Sequence, residues 1–311
     1  MITTVTMNPC IDRMVTIDSF TYGGMNRILE SRIDASGKGI NVAIAYTQLG
    51  GKALCTGINY SERGNLIVEL LERKGIYHDF VNVDGEVRIN HKIYDRSQQV
   101  VTELNESGYP VDDVALEKVK EKIITHSRES QILVISGSVP RGVPKTIYRD
   151  LLKGASHLPI KTILDAEGSL LLEGIKEKPN IIKPNLFELE SALNIKITSH
   201  SEVIKAAGFF LDKGVEIVGV SMGEEGAIIV NENHAYYAPG LKVDVKGTAG
   251  AGDSIIAGFC LAMKEGLGLE EMLRYGVAAA TASVMREGTL MCTREGFESI
   301  LPKVKIEKLH N

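Results

Sequence analysis

With 311 residues, 44% of them hydrophobic and 24% charged, the chain has an ordinary globular composition and can bury one large core or two modest ones. A formal net charge of −5 argues against general nucleic-acid binding, which leaves a basic footprint, so any anionic ligand has to be held by local positive groups. The four cysteines are scattered without metal-ligand spacing, and no apolar run approaches the roughly 20 residues that span a bilayer. The simple expectation is a reduced, metal-free cytosolic setting, with no export signal and no membrane contact.

In chain order, short β-rich apolar runs at 2–7, 53–58, 132–136, 161–165, 180–183 and 216–221 alternate with helical spacing at 39–49, 65–73, 112–126, 144–152 and 201–213. Such alternation predicts an α/β fold, a mostly parallel sheet flanked by helices, in a single domain over 1–311. Two stretches, about 13–34 and 87–104, interleave Thr, Val, Ile and Tyr with polar residues, as antiparallel strands with one wet face do. They predict a small discontinuous β lid. Ligands on such folds sit beyond the C-terminal ends of the strands, so the loops there carry the chemistry.

The strongest local signal is Gly250-Ala251-Gly252-Asp253, which precedes the apolar helical run 255–264. Three small residues let backbone N–H groups turn toward a phosphate, and a helix N-terminus adds partial positive charge. Asp253, at the start of that helix, can cap it or accept a hydroxyl proton as a phosphoryl group is transferred. No Gly-Lys-Ser or Gly-Lys-Thr follows, so this is not a Walker A loop. In the lid, Arg88, Asn90 and Lys92 alternate along a strand and fall on one side, where two cations and an amide suit a phosphate; a solvated edge strand has the same pattern. At Asn185 and Glu188, three apart on an early helical turn, one spacing serves both a capping box and the water shell of a Mg²⁺ ion.

The Gly250–Asp253 box resembles the late G-A-G-D signature of the ribokinase-like, PfkB-type carbohydrate kinases, and five further segments extend the resemblance from Thr4 to about Gly288. Gly37-Lys38-Gly39-Ile40-Asn41 is similar to the family's early sugar-site box, with Ser36 in place of its usual first glycine. Asp12, in Asn8-Pro9-Cys10-Ile11-Asp12, matches the opening motif of the phosphosugar branch, and Ser138 lies in a matching S-G-S-x-P loop. Asn185 and Glu188 match the N-x-x-E motif, and Ser221, Gly223 and Gly226 an S-x-G-x-x-G turn that a plain hairpin would also explain.

The resemblance implies direct transfer from ATP to a ketose phosphate with Asp253 as base and Gly250, Ala251 and Gly252 as anion hole. It implies sugar contacts from Asp12, Arg27, Gly37, Lys38, Asn41, Arg88, Asn90, Lys92 and Ser138, and nucleotide contacts from Lys183, Asn185, Ser221, Gly223, Gly226 and Thr248. Mg²⁺ would be held through water by Asn185 and Glu188, and the lid would pair two chains into a homodimer. The lid sequence is nearest to the 1-phosphofructokinase type, which implies fructose 1-phosphate as acceptor. The alternatives are tagatose 6-phosphate or fructose 6-phosphate and, in a different class, a sensor that binds sugar phosphate without turnover. Gly247-Thr248 stands where most of the wider family has Asp-Thr, leaving Asp253 as the only carboxylate in the loop.

Overall fold

A computed structural model describes residues 1–309. Strand β1 (Ile2–Thr6) enters the middle of the molecule, followed by the hairpin β2 (Cys10–Ile17) and β3 (Ile28–Ser36), then helix α1 (Lys38–Gln48). Next come β4 (Ala53–Glu62), α2 (Gly64–Arg73), β5 (Tyr77–Glu86), a second hairpin β6 (Arg88–Asp95) and β7 (Val100–Asn105), and α3 (Asp113–Ser127). The chain then alternates through β8 (Ile132–Ser136), α4 (Ile147–Ala155), β9 (Lys161–Asp165), α5 (Gly168–Gly174), β10 (Ile181–Ile182), α6 (Leu186–Leu193), α7 (His200–Leu211) and β11 (Ile217–Ser221). It closes with β12 (Gly226–Asn231), β13 (Ala235–Pro239), α8 (Ala251–Lys264), α9 (Leu269–Val284), α10 (Arg294–Ile300) and β14 (Glu307–Leu309).

Ten strands form one sheet in the order β14-β13-β12-β11-β10-β9-β8-β1-β4-β5, parallel from β11 to β5 and antiparallel from β11 outward through β14. Every residue of β1 and β8 is buried, as expected of central strands covered on both faces. Three threonines interrupt the apolar run of β1, and two of them find partners: Thr3 Oγ1 shares a hydrogen bond of 2.7 Å with Ser130 Oγ, and Thr4 Oγ1 donates to Cys55 Sγ at 3.5 Å. Among the described residues no helix is long and apolar enough to cross a membrane.

The lid is a second sheet of four strands, β3-β2-β6-β7. Each hairpin is antiparallel within itself, and the two are joined by a parallel pairing of β2 with β6, in which Asp12 lies opposite Asn90. Residues 18–27 form an exposed loop rather than strand: the Asn26 side chain accepts from Thr21 N and donates to Thr21 O, closing a turn around Gly23-Gly24. Because β2 leaves β1 directly and β6 follows β5, the lid stands over the C-terminal edge of the large sheet.

Candidate active site

Asp253 is the third residue of α8 and does not cap it. The N-cap is Gly250, in the left-handed region at φ 78°; no side chain caps the first turn, and with Ala251 N turned to Thr248 O the N–H groups of Gly252 and Asp253 are left for an anion. A Cβ on Gly250 would lie 2.2 Å from Met291 Cε, and one on Gly252 3.3 Å from Lys183 Nζ, so the small residues let the turn pack closely against both neighbours. The Asp253 carboxylate is buried and accepts from Asn41 Nδ2 at 2.8 Å. Burial pushes its pKa up to about 6; the Lys38 ammonium opposes that rise and the Asp165 charge adds to it. A carboxylate with this value is ionised at neutral pH and is matched to proton transfer there.

Asn41 and Lys38 lie three apart on α1, whose first turn carries no acidic residue, so Lys38 turns instead to Asp165 (3.2 Å) at the end of β9 and toward Glu188 (4.0 Å) at the start of α6. Asp165, 1% exposed, also lies 3.4 Å from Lys183 and accepts from Ser136 Oγ at 3.0 Å. Burial alone would raise its pKa, but the Lys183 and Lys38 ammonium groups together hold it below the usual carboxylate range. Asp165 in turn is the largest cause holding the Lys38 ammonium well above its ordinary range, against the opposing effect of burial. Lys38 therefore stays charged at the site. Ser136 enters sequence reasoning only as the first residue of the S-G-S-x-P loop, and Asp165 is not singled out, because an Asp that ends a parallel strand reads equally as the start of a turn. The available signal is position: β8 and β9 both end at the edge where ligands bind.

Between these residues and the lid lies a cavity of about 200 Å³, lined by Lys38, Arg88, Asn8, Ser138, Thr6 and Glu188 among others. Arg88 is aimed by hydrogen bonds to the carbonyl oxygens of Glu106 (2.9 Å) and Asn8 (3.3 Å), and its Nε is buried without a partner. Asn8 donates to Ser138 Oγ at 3.1 Å while its Oδ1 has no partner. Arg88 and Asn8, both lining the cavity, thus each keep one buried polar atom without a hydrogen-bond partner.

Arg88, Asn90 and Lys92 do share a face of β6, but they are differently engaged. Asn90 donates to Asp12 Oδ1 at 3.0 Å and Lys92 pairs with Asp12 Oδ2 at 3.1 Å and with Glu103 at 3.9 Å. Lys92 thus has its charge balanced within the lid, whereas Arg88 has no carboxylate partner among the described residues. Gly37 is buried at the entry to α1. Arg27 is exposed on the loop between β2 and β3 and does not line the cavity.

On the other side of Lys183, Asn185 and Glu188 form the capping box of α6, with both hydrogen bonds at 2.8 Å, so the structural role is filled. Asn185 also bridges to Ser221, the last residue of β11, after which Gly223 and Gly226 shape the turn into β12. Thr248 is exposed and its carbonyl accepts from Ala251 N at 3.3 Å, leading into the anion-hole turn.

The pfkB family carbohydrate kinase model matches residues 5–295, which takes in every residue of this site. The chain belongs to the pfkB family of carbohydrate kinases. Within that family it is 32% identical over 311 residues to a 1-phosphofructokinase of Borreliella burgdorferi, covering 100% of this chain and 99% of the relative. It is also 31% identical to a tagatose-6-phosphate kinase of Staphylococcus epidermidis, over 98% of this chain and 99% of the relative. The tetrameric inhibited form of phosphofructokinase-2 from Escherichia coli superimposes with a TM-score of 0.90 at 28% identity, over 97% of this chain and 98% of that one.

Proposed function

We propose that the chain transfers the γ-phosphoryl group of ATP to the C6 hydroxyl of fructose 1-phosphate, giving fructose 1,6-bisphosphate. The observation that carries this reading is the Asp253 carboxylate, buried, held by Asn41 and set beside the uncapped N-terminus of α8. As the acceptor oxygen bonds to the γ-phosphorus and the bridging bond to ADP breaks, the acceptor's proton passes to Asp253, and the first-turn N–H groups with Lys183 balance the charge on the transferring oxygens. Asn41 orients the base, and Asp12, fixed by Asn90 and Lys92, meets the sugar hydroxyls. Asn185, Ser221, Gly223, Gly226 and Thr248 are proposed to flank the nucleotide.

Mg²⁺ fits this donor set. Asp165 Oδ1 makes no hydrogen bond beyond its 3.4 Å ion pair with Lys183, and Glu188 opens onto the cavity, so these carboxylates with Asn185 would hold the ion through its water shell. The ion supplies neutralisation of phosphate charge when bound.

Arg88 and Lys38 are proposed as the groups that hold the acceptor's own phosphate, with Ser138 beside them. Arg88→Ala is expected to raise KM for the ketose phosphate by roughly 10- to 100-fold, the scale of a lost charge-assisted hydrogen bond, and to leave KM for ATP nearly unchanged. Steady-state kinetics with each substrate varied in turn checks this, and equal effects on both would remove Arg88 from the sugar site. The identity of the acceptor is tested with a panel of fructose 1-phosphate, tagatose 6-phosphate and fructose 6-phosphate. Fast turnover of tagatose 6-phosphate with none of fructose 1-phosphate would overturn the proposed acceptor.

The lid is proposed to pair two chains. Leu29 and Ile33 on β3 and Val100 and Leu104 on β7, the two edge strands of the lid, are exposed to 51, 59, 51 and 56%, apolar surface that a second lid would cover. Arg27, which is exposed and has no side-chain hydrogen bond or ion pair among the described residues, would then be available to a phosphate at the paired lids.

A further inference from the structure

The segment 285–293, between α9 and α10, touches the anion hole at one end and the lid at the other. At its base, Cys292 N donates to Ser283 Oγ at 2.8 Å, and that hydroxyl shares a hydrogen bond of 2.6 Å with Ser254, the neighbour of Asp253. Met291 packs on Gly250, and the backbone of Lys246 and Gly247, leading into the anion hole, donates to Val284 O at 2.8 and 3.2 Å. The loop and the nucleotide-side turn are therefore one packed unit.

At its tip, Thr289 Oγ1 donates to Asp34 Oδ2 on β3 at 2.8 Å. Arg32 donates to the same oxygen through Nε and Nη2, at 2.8 and 2.6 Å, and reaches Glu287 O at 3.3 Å. Gly288 has φ 61°, and a Cβ there would lie 2.8 Å from Arg32 Nη2, so the tip is shaped to let the guanidinium in. Asp34 stands directly opposite Asp12 in the β2–β3 register, on the row that continues to Asn90. Among the described residues, the side-chain hydrogen bonds that β3 makes outside its own sheet are these and one from Ser36 to Asn41. With side chains 36% and 22% exposed, Arg32 and Asp34 are wet enough to part and re-form as a lid moves.

We propose that Asp34, Arg32 and Thr289 are positioning residues that form a latch coupling the lid to the anion hole, so that nucleotide at the N-terminus of α8 favours the closed lid and an acceptor under the lid favours the ordered anion hole. This rests on the kinase reading of the site. The coupling runs from the Asp12–Asp34 cross-strand pair through the Asp34–Thr289 hydrogen bond and along the loop backbone to Met291, which packs on Gly250, and is reciprocal by linkage.

The test is hydrogen exchange with a non-hydrolysable ATP analogue and Mg²⁺, with no sugar present. In the unmodified chain the analogue is expected to slow exchange both in 285–293 and in the lid strand Ile28–Ser36. In Thr289→Val and Asp34→Asn it should slow exchange only in 285–293, and Thr289→Ser, which restores the hydroxyl, should recover lid protection. In parallel, the factor by which the analogue tightens ketose-phosphate binding, roughly 5- to 150-fold for coupled sites, should fall toward one in Thr289→Val. A role confined to stability would lower the melting temperature and leave that factor unchanged. The latch is overturned if the lid strand ignores the analogue in the unmodified chain, or if both variants keep full protection. Failure to turn over any ketose phosphate would sink the proposed function, while the exchange experiment, which needs only nucleotide, would still decide the latch.

Discussion

Asp253→Asn is expected to lower kcat by about 10²- to 10⁴-fold, the range for loss of a general base, while ATP affinity stays close to normal. The substitution is nearly isosteric, and the new amide oxygen can still accept from Asn41, so the anion hole keeps its shape. The accompanying pH profile follows from the raised pKa. The base must be ionised, so kcat/KM of the parent should fall tenfold per unit below about pH 6, the value to which burial brings Asp253, and the variant's residual rate should lack that limb. Stability moves the other way. A carboxylate whose folded pKa is raised weakens the fold as pH climbs from its ordinary value toward 6, because the folded state resists ionisation there. The asparagine variant should therefore be at least as stable as the parent at neutral pH, a trade of stability for function that denaturant melts can read. Near-normal activity in the variant would remove Asp253 from the base role.

The second large effect is expected at Asp165. Replacing it by Asn leaves Lys183, with only 4% of its side chain exposed, without its counter-charge, and breaking a buried pair in this way costs about 3–5 kcal/mol. The urea midpoint should drop with the slope unchanged. The pH dependence carries the same signature: a carboxylate held below its ordinary range stabilises the fold above the unfolded pKa, and that contribution is lost as pH falls through the folded one. In the Asn variant this acid-side loss should disappear. Because the Asp165 charge helps to raise Asp253, the acid limb of activity should also move to lower pH in Asp165→Asn. An unchanged midpoint and an unchanged limb would show that Asp165 is a bystander.

Much of this was legible in the sequence because the parallel strands are buried on both faces and the glycines mark the chain's entry into the ligand. The runs at Ile132–Ser136 and Lys161–Asp165 coincide with β8 and β9 to the residue. Helix α4 starts at Ile147, where a start at 144 was expected, since Pro144 opens a turn that Ile147 N closes onto its carbonyl. The lid was legible as two β segments but its pairing was not. Parallel association of β2 with β6 joins residues about 80 apart in sequence, and alternation reports which face a residue takes, not which strand lies beside it. Asp253, Asn41 and Arg88 stood out because their neighbours were unusual. Asp165 did not, because its meaning comes from Lys38 and Lys183, which only the fold brings to it. For Lys92 the pattern showed the side of the strand, and Asp12, which balances it, comes from another hairpin.

The central place of β1 bears on how the molecule assembles. Ile2 lies opposite Ala53 on one side and Ile132 on the other, so neither flank of the strand can zip up locally. The chain must close two long loops before the middle of the sheet exists, an entropic cost that grows slowly with loop length and is met before the contacts that offset it, which slows folding. The half of the site delivered by β8 and β9 cannot form until that closure is made. Folding intermediates that have made the first closure and await the second would expose the flank of β1 that β8 is to cover, and a chaperone that shields an open strand edge would act at that stage.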